Sequence, residues 1–520
     1  MVEEISRKFL QPLNPADRVQ IKDFFKGKNV FITGATGFMG KALVEKLLWS
    51  CEDIGNLYLL IRPKKGETAQ QRVEDMKKSP VFDRIRQRDE SILSKMCAIA
   101  GDVSEIVLGI STEDRTLLED SVSVVFHAAA SVRFDDPIKK AALINIRGTR
   151  EVVDLAKGMN NLKVFVYVST TYANSDRHVI EEKFYKSNAD DWRTILKCAE
   201  NLDENILNIL TPKIIGGLPN TYTFTKKLAE SVVHETRHEL PVLIFRPSIV
   251  VSSQKEPSPG WVDNLNGPFG ISTAYMTGVI HCLLVDGDKV TDYIPCDYAT
   301  NALIASAWYR GLLNTSDCVI IHSAAGDKYS TTSNSMIKAR DLIIDKMPFE
   351  RVLWYPSAIY TTNVFVYTMM FYLTQLLPAV AYDILLRIKG EKFRMMRLYQ
   401  KIFLGNRALS FFITRDWKIE TENADTLRDF MYPEDREMFP FDMRVFDLND
   451  SILLAISGIK KYILNEDTSE AALAVNRKRY KMYRNLHYLL KGAFYLLIGW
   501  ILRNHVIIPT FTYITNFSMK

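Results

Sequence analysis

The sequence predicts an α/β fold: a doubly wound, parallel-sheet Rossmann domain, then a helical C-terminal domain and hydrophobic membrane-associating segments. Three observations lead to this fold class. Short β-branched runs alternate with helical stretches up to about residue 320, which is typical of a parallel sheet covered by helices. A glycine-rich turn at Gly34 follows the first run directly. Long apolar blocks lie beyond residue 350, at 364–382 and 491–510.

The composition indicates a large globular protein. The 520 residues include 66 Lys and Arg against 61 Asp and Glu, a net charge of +5, and 47% are hydrophobic. This excludes disordered and collagen-like classes. Both signs of charge run along the whole chain, so no nucleic-acid partner is expected. The six cysteines lack the spacing of zinc sites or disulfide frameworks, so we expect no metal and a reducing compartment.

Apolar runs mark the elements in chain order. Six strands are predicted, several of them apolar throughout, as strands buried on both faces should be: 29–33, 57–62, 96–100, 122–127, 164–169 and 242–246. Apolar residues at helical spacing predict helices at 41–49 and 145–156, and the charged stretch 67–95 is interpreted as a helix pair inserted on the surface. Segments 336–346 and 352–355 predict a further helix and strand.

These elements predict four parts of the chain. They are an N-terminal extension (1–25), a Rossmann-type domain around the parallel sheet (26–350), a helical C-terminal domain (351–485) and a hydrophobic tail (486–520).

A glycine-rich turn joins the first strand to the first long helix. Without β-carbons the backbone can turn tightly and approach a pyrophosphate, and the helix N-terminus offers free N–H groups. We therefore predict that this segment binds a dinucleotide through Thr33, Gly34, Thr36, Gly37, Phe38, Met39 and Gly40.

The ends of the next strands predict the rest of the cofactor site. Arg62 and Lys64 follow the second strand with no acidic residue in that turn, which favours NADPH over NADH; a solvated basic turn is the alternative. After the third strand, Asp102 and Val103 are predicted near the adenine, although Asp102 also suits an ordinary turn. After the fourth strand, the small residues at 128–130, among them Ala128 and Ala129, allow a ligand close to the backbone, whereas His127 is expected to pack.

A hydroxyl-rich strand end and a YxxxK pair predict the chemistry. Ser169 and Thr170 follow the fifth strand, and Tyr222 and Lys226 lie four residues apart on one face of a helix. A tyrosine is a useful proton donor in carbonyl reduction when a neighbouring ammonium lowers its pKa. We therefore predict that Tyr222 is the proton donor and Lys226 its electrostatic partner.

These residues resemble the extended short-chain dehydrogenase/reductases and, more closely, the alcohol-forming fatty acyl-CoA reductases. The family-specific parts are His127-Ala-Ala-Ala-Ser-Val-Arg-Phe134 and the loop 255–268, and 372–464 resembles the family's male-sterility domain. The resemblance further rests on Arg246-Pro-Ser-Ile249, which adds Pro247 to the cofactor residues, and on Asn145-Ile-Arg-Gly-Thr149. Met39 departs from the family's leucine-like residue, a change that conserves volume.

The resemblance implies the reaction and the remaining roles. NADPH reduces a long-chain fatty acyl-CoA to an aldehyde with release of CoA, and a second NADPH reduces the aldehyde to a primary alcohol. Thr170, rather than Ser169 beside it, would hydrogen-bond the substrate oxygen, and Asn145 would order a proton-relay water near Lys226, unless it only caps a helix. Two alternatives stay open: another extended reductase acting on a sterol, flavonoid or sugar-nucleotide carbonyl, and an inactive, cofactor-sensing membrane scaffold.

The apolar blocks predict association with membrane lipids. Block 364–382 has the length of a span but contains several polar residues, and the tail is interrupted at Arg503-Asn504-His505. The tail is either an anchor or an interfacial insertion, with a core helix as the third possibility. With the resemblance, this predicts an endoplasmic reticulum or peroxisomal membrane and a catalytic domain facing the cytosol. The sequence indicates no particular oligomeric state.

Overall fold

The computed structural model describes residues 10–13, 17–186, 191–327, 331–390, 395–445 and 447–508. Its strands are, in chain order, β1 (Asn29–Thr33), β2 (Leu57–Ile61), β3 (Met96–Ala100), β4 (Val122–His127), β5 (Val164–Val168), β6 (Val179–Ile180), β7 (Val242–Pro247), β8 (Ile249–Val251), β9 (Cys282–Leu284), β10 (Val290–Thr291), β11 (Tyr293–Pro295), β12 (Val319–Ser323), β13 (Thr331–Thr332), β14 (Ile359–Thr361) and β15 (Lys418–Ile419).

The α-helices are, in chain order, α1 (Ile21–Phe25), α2 (Phe38–Ser50), α3 (Ala69–Lys77), α4 (Asp83–Asp89), α5 (Thr112–Ser121), α6 (Ile138–Ala142), α7 (Gly148–Lys157), α8 (Trp192–Asn201), α9 (Glu204–Ile215), α10 (Thr221–Glu235), α11 (Pro268–Met276), α12 (Cys296–Leu312), α13 (Ser333–Lys346), α14 (Val364–Phe371), α15 (Leu377–Ile388), α16 (Met395–Ile413), α17 (Glu422–Phe430), α18 (Pro433–Met438), α19 (Leu448–Gly458) and α20 (Glu470–Leu502).

A seven-stranded parallel sheet forms the centre of the molecule, in the order β12-β7-β5-β4-β1-β2-β3. The strand order reverses between β1 and β4, the position where sheets of this kind bind ligands at the carboxyl ends of the strands. Alternate side chains of β1 enter opposite cores: Val30 and Ile32 pack on one face of the sheet, and Phe31 packs on the other. The Rossmann-like fold predicted from the sequence is therefore confirmed.

All six predicted strands lie in this sheet, and the structure adds β12. Arg62 and Ser169 lie just beyond the ends of β2 and β5. The predicted strand at 352–355 was wrong. Leu353 N donates to the Thr277 carbonyl at the end of α11, so segment 352–355 bonds to a helix end and not to a strand. The nearby strand is β14.

The helical C-terminal region is joined to the sheet domain by short parallel pairs. β15 pairs with β6, and β14 pairs with β9. The predicted boundary at residue 351 stays a prediction, as do the other domain limits. The described part of the predicted N-terminal extension packs against the rest of the chain, since Trp308 Nε1 donates to the Val19 carbonyl.

Two apolar helical segments differ from the rest by their exposure. α14, a π-helical turn and α15 form one helix, Val364–Ile388, the one in the described residues that is long and apolar enough to cross a membrane. The last turns of α20 are exposed on all sides, including Leu496 and Trp500. Residues 509–520 of the predicted tail lie outside the described residues.

Candidate active site

The turn between β1 and α2 has the backbone geometry that the glycines predict. Gly34 has φ +76°, and a β-carbon there would lie 2.6 Å from the Ala129 nitrogen. A β-carbon on Gly40 would lie 2.1 Å from the Gly34 carbonyl oxygen. α2 begins after Gly37, and no N-cap side chain accepts a hydrogen bond from its first turn. The N–H groups of that turn can therefore donate to a ligand. This cradle fits the pyrophosphate of a dinucleotide.

Beneath this turn lies a buried polar chain. Thr33 Oγ1 is 2.7 Å from His127 Nδ1, and His127 Nε2 is 3.0 Å from Thr149 Oγ1. Burial, with a smaller effect of the Lys226 charge, lowers the pKa of His127 to about 3, so the ring is neutral at physiological pH. His127 packs, as expected. Thr33 supports the turn from below and does not line the cavity described next.

A cavity of about 1030 Å³ opens above the carboxyl ends of the strands. It contains most of the predicted site. The predicted residues that line it are Gly34, Thr36, Gly37, Phe38, Met39, Gly40, Arg62, Asp102, Val103, Ala128, Ala129, Ser169, Thr170, Tyr222, Lys226 and Pro247. Three predicted residues do not line it: Thr33, Lys64 and Asn145.

The basic end of the cavity is formed by two arginines. Arg62 is largely exposed, and its Nη1 lies 3.5 Å from Asp102 Oδ2. Arg72, from α3, donates to the Arg62 carbonyl and also lines the cavity. Asp102 Oδ1 accepts from Ser104 N at 2.9 Å, so it also acts as the turn aspartate that the sequence left open. Arg72 was missed because its segment reads from the sequence as a surface insertion.

Tyr222 lies in the first turn of α10, whose N-terminus is capped by Asn220. Burial raises the pKa of Tyr222 to about 12, and a hydrogen bond with Thr170 works against that rise. The sequence predicts Lys226 as the group that lowers this pKa. In the structure the Lys226 ammonium instead donates to the Val168 carbonyl at 2.5 Å.

Lys226 is a buried cation with few charged neighbours. Its Nζ lies 4.1 Å from the centroid of the Tyr167 ring. Burial lowers the pKa of Lys226 to about 7, and the Glu230 carboxylate one turn further along α10 partly offsets this. Small changes around Glu230 therefore decide how much of Lys226 is charged near neutral pH.

The two hydroxyls after β5 point to different partners. Ser169 Oγ donates to Glu230 Oε1 at 2.5 Å, and Glu230 also forms a buried ion pair with Arg246 at 2.7 Å. Thr170 hydrogen-bonds Tyr222 and accepts from Tyr172 N at 3.3 Å. Thr170 thus lies beside the candidate proton donor, while Ser169 ties β5 to α10.

Asn145 lies in the π-helical turn Leu143–Arg147, which joins α6 to α7 without a break in the helical backbone, so Asn145 does not cap a helix. Its amide nitrogen donates to Thr225 Oγ1 at 2.9 Å and to the Ser131 carbonyl at 3.3 Å. Its amide oxygen accepts from Ser131 N at 2.8 Å. Both amide hydrogens are therefore used within the protein, and the water-ordering role implied by the resemblance stays a prediction.

Aromatic side chains that the sequence did not single out surround Tyr222. Phe134 stacks on Tyr222 at a centroid distance of 5.8 Å. Phe412, from α16, lies 5.4 Å from Phe134 and also lines the cavity. Phe134 belongs to a family-specific motif, a signal that could have found it; Phe412 is 190 residues from Tyr222 along the chain and has no local signal.

Comparison with known proteins agrees with this geometry. Residues 32–303 and 374–466 each match a family described as male sterility protein. The chain is 37% identical over 500 residues to the Drosophila melanogaster protein "Fatty acyl-CoA reductase wat", covering 94% of this chain and 93% of that protein. It is 35% identical over 503 residues to human "Fatty acyl-CoA reductase 2", covering 96% and 97%.

Solved structures give the fold alone. The terminal R domain of the myxalamid PKS-NRPS biosynthetic pathway superposes with a TM-score of 0.57 at 18% identity, covering 88% of this chain and 98% of that domain. The reductase domain of a Mycobacterium tuberculosis nonribosomal peptide synthetase gives 0.54 at 16% identity, covering 85% and 94%. With the extent and identity of the sequence matches, we conclude that the chain belongs to the fatty acyl-CoA reductase family.

Proposed function

We propose that this protein reduces long-chain fatty acyl-CoA to a primary fatty alcohol, using NADPH in two successive hydride transfers and releasing CoA. The observation that carries the proposal is the Tyr222 hydroxyl, hydrogen-bonded to Thr170, in the same cavity as the glycine turn. Family membership supplies the substrate class, since the relatives are named for fatty acyl-CoA.

The site residues divide the chemistry between them. NADPH, held at the glycine turn, supplies the hydride. When the thioester carbonyl carbon accepts it, Tyr222 donates its proton to the carbonyl oxygen, and Thr170 holds that oxygen by a hydrogen bond. The resulting hemithioacetal loses CoA as the thiol and becomes an aldehyde. Tyr222, reprotonated from solvent, then protonates the aldehyde oxygen as the aldehyde carbon accepts a hydride from a second NADPH, which gives the alcohol.

Lys226 supports this proton transfer in its charged form. A buried ammonium favours the phenolate that Tyr222 becomes when it gives up its proton. Glu230 keeps part of that charge by raising the pKa of Lys226 against the effect of burial. We therefore assign Lys226 to electrostatic support of Tyr222.

NADPH is proposed over NADH because of the charges at the basic end of the cavity. Arg62 and Arg72 line this end of the cavity. Among the described residues, neither the turn 62–66 nor the start of α3 adds a carboxylate to the lining. The acidic neighbour of Arg62 is Asp102. Guanidinium groups bind phosphate by paired, charge-assisted hydrogen bonds. An adenosine 2′-phosphate is the group that distinguishes the two cofactors.

The function is tested with palmitoyl-CoA and NADPH. We expect release of one free thiol, oxidation of two NADPH and one hexadecanol per turnover. Tyr222→Phe removes one hydroxyl and should lower kcat by at least about 100-fold while leaving NADPH affinity unchanged. Thiol release without NADPH oxidation, or Tyr222→Phe turnover within about tenfold of the parent, would contradict the proposal.

We also propose that the protein associates with membrane lipids, at the endoplasmic reticulum or peroxisome, with the catalytic domain facing the cytosol. Support comes from the exposed apolar helix Val364–Ile388 and from the exposed end of α20. Cations precede that end at Arg477, Lys478, Arg479, Lys481 and Arg484, and such cations favour the cytosolic side. NADPH and acyl-CoA are cytosolic metabolites, which agrees with this orientation.

A further inference from the structure

The cavity has two chemically different halves. The half at the glycine turn is formed by backbone and by Arg62 and Arg72. The other half is mainly apolar, although Ser272 of α11 and Asn406 of α16 also line the cavity. Its apolar side chains come from α11, from β9 and from α16: Ile271, Tyr275, Leu283, Leu409, Phe412 and Ile413. At about 1030 Å³ the cavity lies at the upper end of the usual range for ligand pockets, which agrees with a site that takes both a cofactor and a substrate.

A row of aromatic rings connects Tyr222 to α16. Phe134 stacks on Tyr222 at 5.8 Å, and Phe412 contacts Phe134 at 5.4 Å. Phe412 also meets Tyr172 edge-on at 5.3 Å. The C-terminal helical region therefore brings its apolar wall within one ring of the proton donor.

α16 is held in this place from both sides. Asn406 Oδ1 accepts from Leu284 N at 2.9 Å, and the Ile413 carbonyl accepts from Asp286 N at 3.0 Å. Just after the helix, Trp417 Nε1 donates to the carbonyl of Ser175, in the segment between β5 and β6, at 3.1 Å. These hydrogen bonds hold both ends of the apolar wall that α16 forms, so the folded chain itself sets the shape of that wall.

We propose that α16 forms the acyl-chain site and sets the acyl selectivity of the enzyme. The acyl carbons nearest the carbonyl lie against Phe412, and later carbons run along α16 toward Leu409. The helical rise separates Leu409 from Phe412 by about 4.5 Å along the axis of α16. This inference rests on the proposed function, because it takes the reacting carbonyl to lie at Tyr222.

The first test narrows the site at Leu409. Leu409→Trp should shorten the space for the chain about four carbons beyond the carbonyl, so the ratio of kcat/KM for stearoyl-CoA to that for butanoyl-CoA should fall at least about tenfold. Leu404→Trp is the matched control: Leu404 is on the same helix, 66% exposed and outside the cavity lining. Its ratio should stay within about twofold of the parent. An unchanged ratio in Leu409→Trp, with NADPH binding intact, overturns the inference.

The second test widens the site at its other end. Phe412→Ala should make room for a branch beside the carbonyl, raising the kcat/KM ratio of 2-methyl-branched to linear palmitoyl-CoA at least about fivefold. Phe411→Ala is the control, since Phe411 contacts Trp417 at 5.7 Å and does not line the cavity. If the Leu409→Trp variant does not bind NADPH, the branched-to-linear ratio of Phe412→Ala takes its place as the test. An unchanged ratio then overturns the assignment of the acyl-chain site to α16.

The third test uses the unaltered protein. A palmitoyl-CoA with a diazirine in the middle of its chain should label the tryptic peptide 408–415, which holds Leu409, Phe412 and Ile413. Labelling confined to other peptides overturns the assignment. If the parent neither oxidises NADPH nor releases CoA with any chain length, the proposed function itself fails. Turnover with unaltered selectivity in the variants, and no label in that peptide, rejects only the acyl-chain site.

Discussion

At Lys226, burial and a carboxylate act on one ammonium in opposite directions. Burial lowers the pKa to about 7, and Glu230 raises it. The Tyr167 ring and the Val168 carbonyl also face the ammonium, and neutral His127 lies close enough to have its own pKa lowered by it. The sequence predicted that Tyr222 and Lys226 share one helix face, because they are four residues apart, and their electrostatic pairing stays a prediction. Burial shifts the pKa values of both Tyr222 and Lys226. That burial comes from segments distant in the chain, so the sequence around the two residues could not predict it.

Glu230→Gln should move the pH dependence of reduction. Charged Lys226 is present below its pKa and lost above it, so kcat/KM falls as pH rises through about 7. Removing the carboxylate that raises this pKa moves the fall to lower pH. The pH profile of kcat/KM measures the shift. Ser169→Ala removes the Ser169 hydrogen bond to Glu230 but leaves the Glu230 carboxylate and its Arg246 ion pair, so it should leave the profile in place. An unmoved profile in Glu230→Gln would argue against this electrostatic role.

Arg62→Glu should reduce the preference for NADPH. It replaces a phosphate-binding guanidinium by a carboxylate, so the ratio of kcat/KM for NADPH to that for NADH should fall at least about tenfold. Lys64→Glu makes the same change of charge outside the cavity lining and should have a smaller effect. If Arg62→Glu keeps the parent preference, Arg72, the other arginine of the cavity lining, makes the phosphate contact.

At the scale of elements, the main strands could be predicted, but the contacts that connect the two regions could not. Buried parallel strands read as apolar runs, which is why 122–127 was found with the bounds of β4. The two-residue pairing of β6 with β15 depends on residues more than 200 positions apart and has no periodicity to detect. The π turn at Asn145 interrupts a helix whose apolar spacing looks continuous.

The family-specific loop 255–268 joins the sheet domain to α19. Asp297 accepts from the backbone N–H groups of Gln254, Lys255 and Glu256, which fixes the start of the loop. Further along, the loop approaches α19 so closely that glycine is required on both sides. A β-carbon on Gly458 would lie 1.7 Å from the Gly260 carbonyl oxygen, and Gly260 itself has φ +75°.

Gly458→Ala should therefore destabilise the protein by about 1–3 kcal/mol, because backbone on both sides must move apart. Gly405→Ala is the matched control in another helix, with no atom within 4 Å of the added β-carbon. There the alanine should be neutral or stabilise the helix by up to ~1 kcal/mol. Thermal unfolding of the two variants gives the comparison, and equal melting temperatures would show that the loop and α19 are not closely packed.

Over the whole molecule, the candidate site is assembled from segments that are far apart in sequence. The glycine turn, the YxxxK helix and the strand ends each carry a local motif, so most residues predicted for the cofactor line the cavity, whereas Arg72 was missed and Thr33 and Lys64 lie outside the lining. The apolar half needs α11, β9 and α16 to meet, and this depends on tertiary packing. The same C-terminal region that completes the cavity also carries the exposed helix Val364–Ile388.

Two exposed apolar surfaces make different predictions about the membrane. His487, on α20, accepts from Trp354 Nε1 at 3.1 Å, so truncation after Lys491 removes the exposed turns beyond this contact and leaves it intact. If the end of α20 is the anchor, the truncated protein should move largely to the soluble fraction and keep NADPH binding. Sedimentation with membranes after a high-salt wash would instead assign the attachment to another surface.

The exposed side of Val364–Ile388 is then the next surface to test. Leu377 and Leu385 are 64% and 57% exposed, so Leu377→Gln with Leu385→Gln lowers the apolar area offered to lipid with little effect on the core. An interfacial helix binds in proportion to its buried apolar area, whereas a terminal anchor does not depend on it. If the protein truncated after Lys491 still sediments with membranes, adding Leu377→Gln and Leu385→Gln should release it into the soluble fraction. In the full chain it should leave membrane binding unchanged if α20 is the anchor, and release of the full chain would identify Val364–Ile388 as the main attachment.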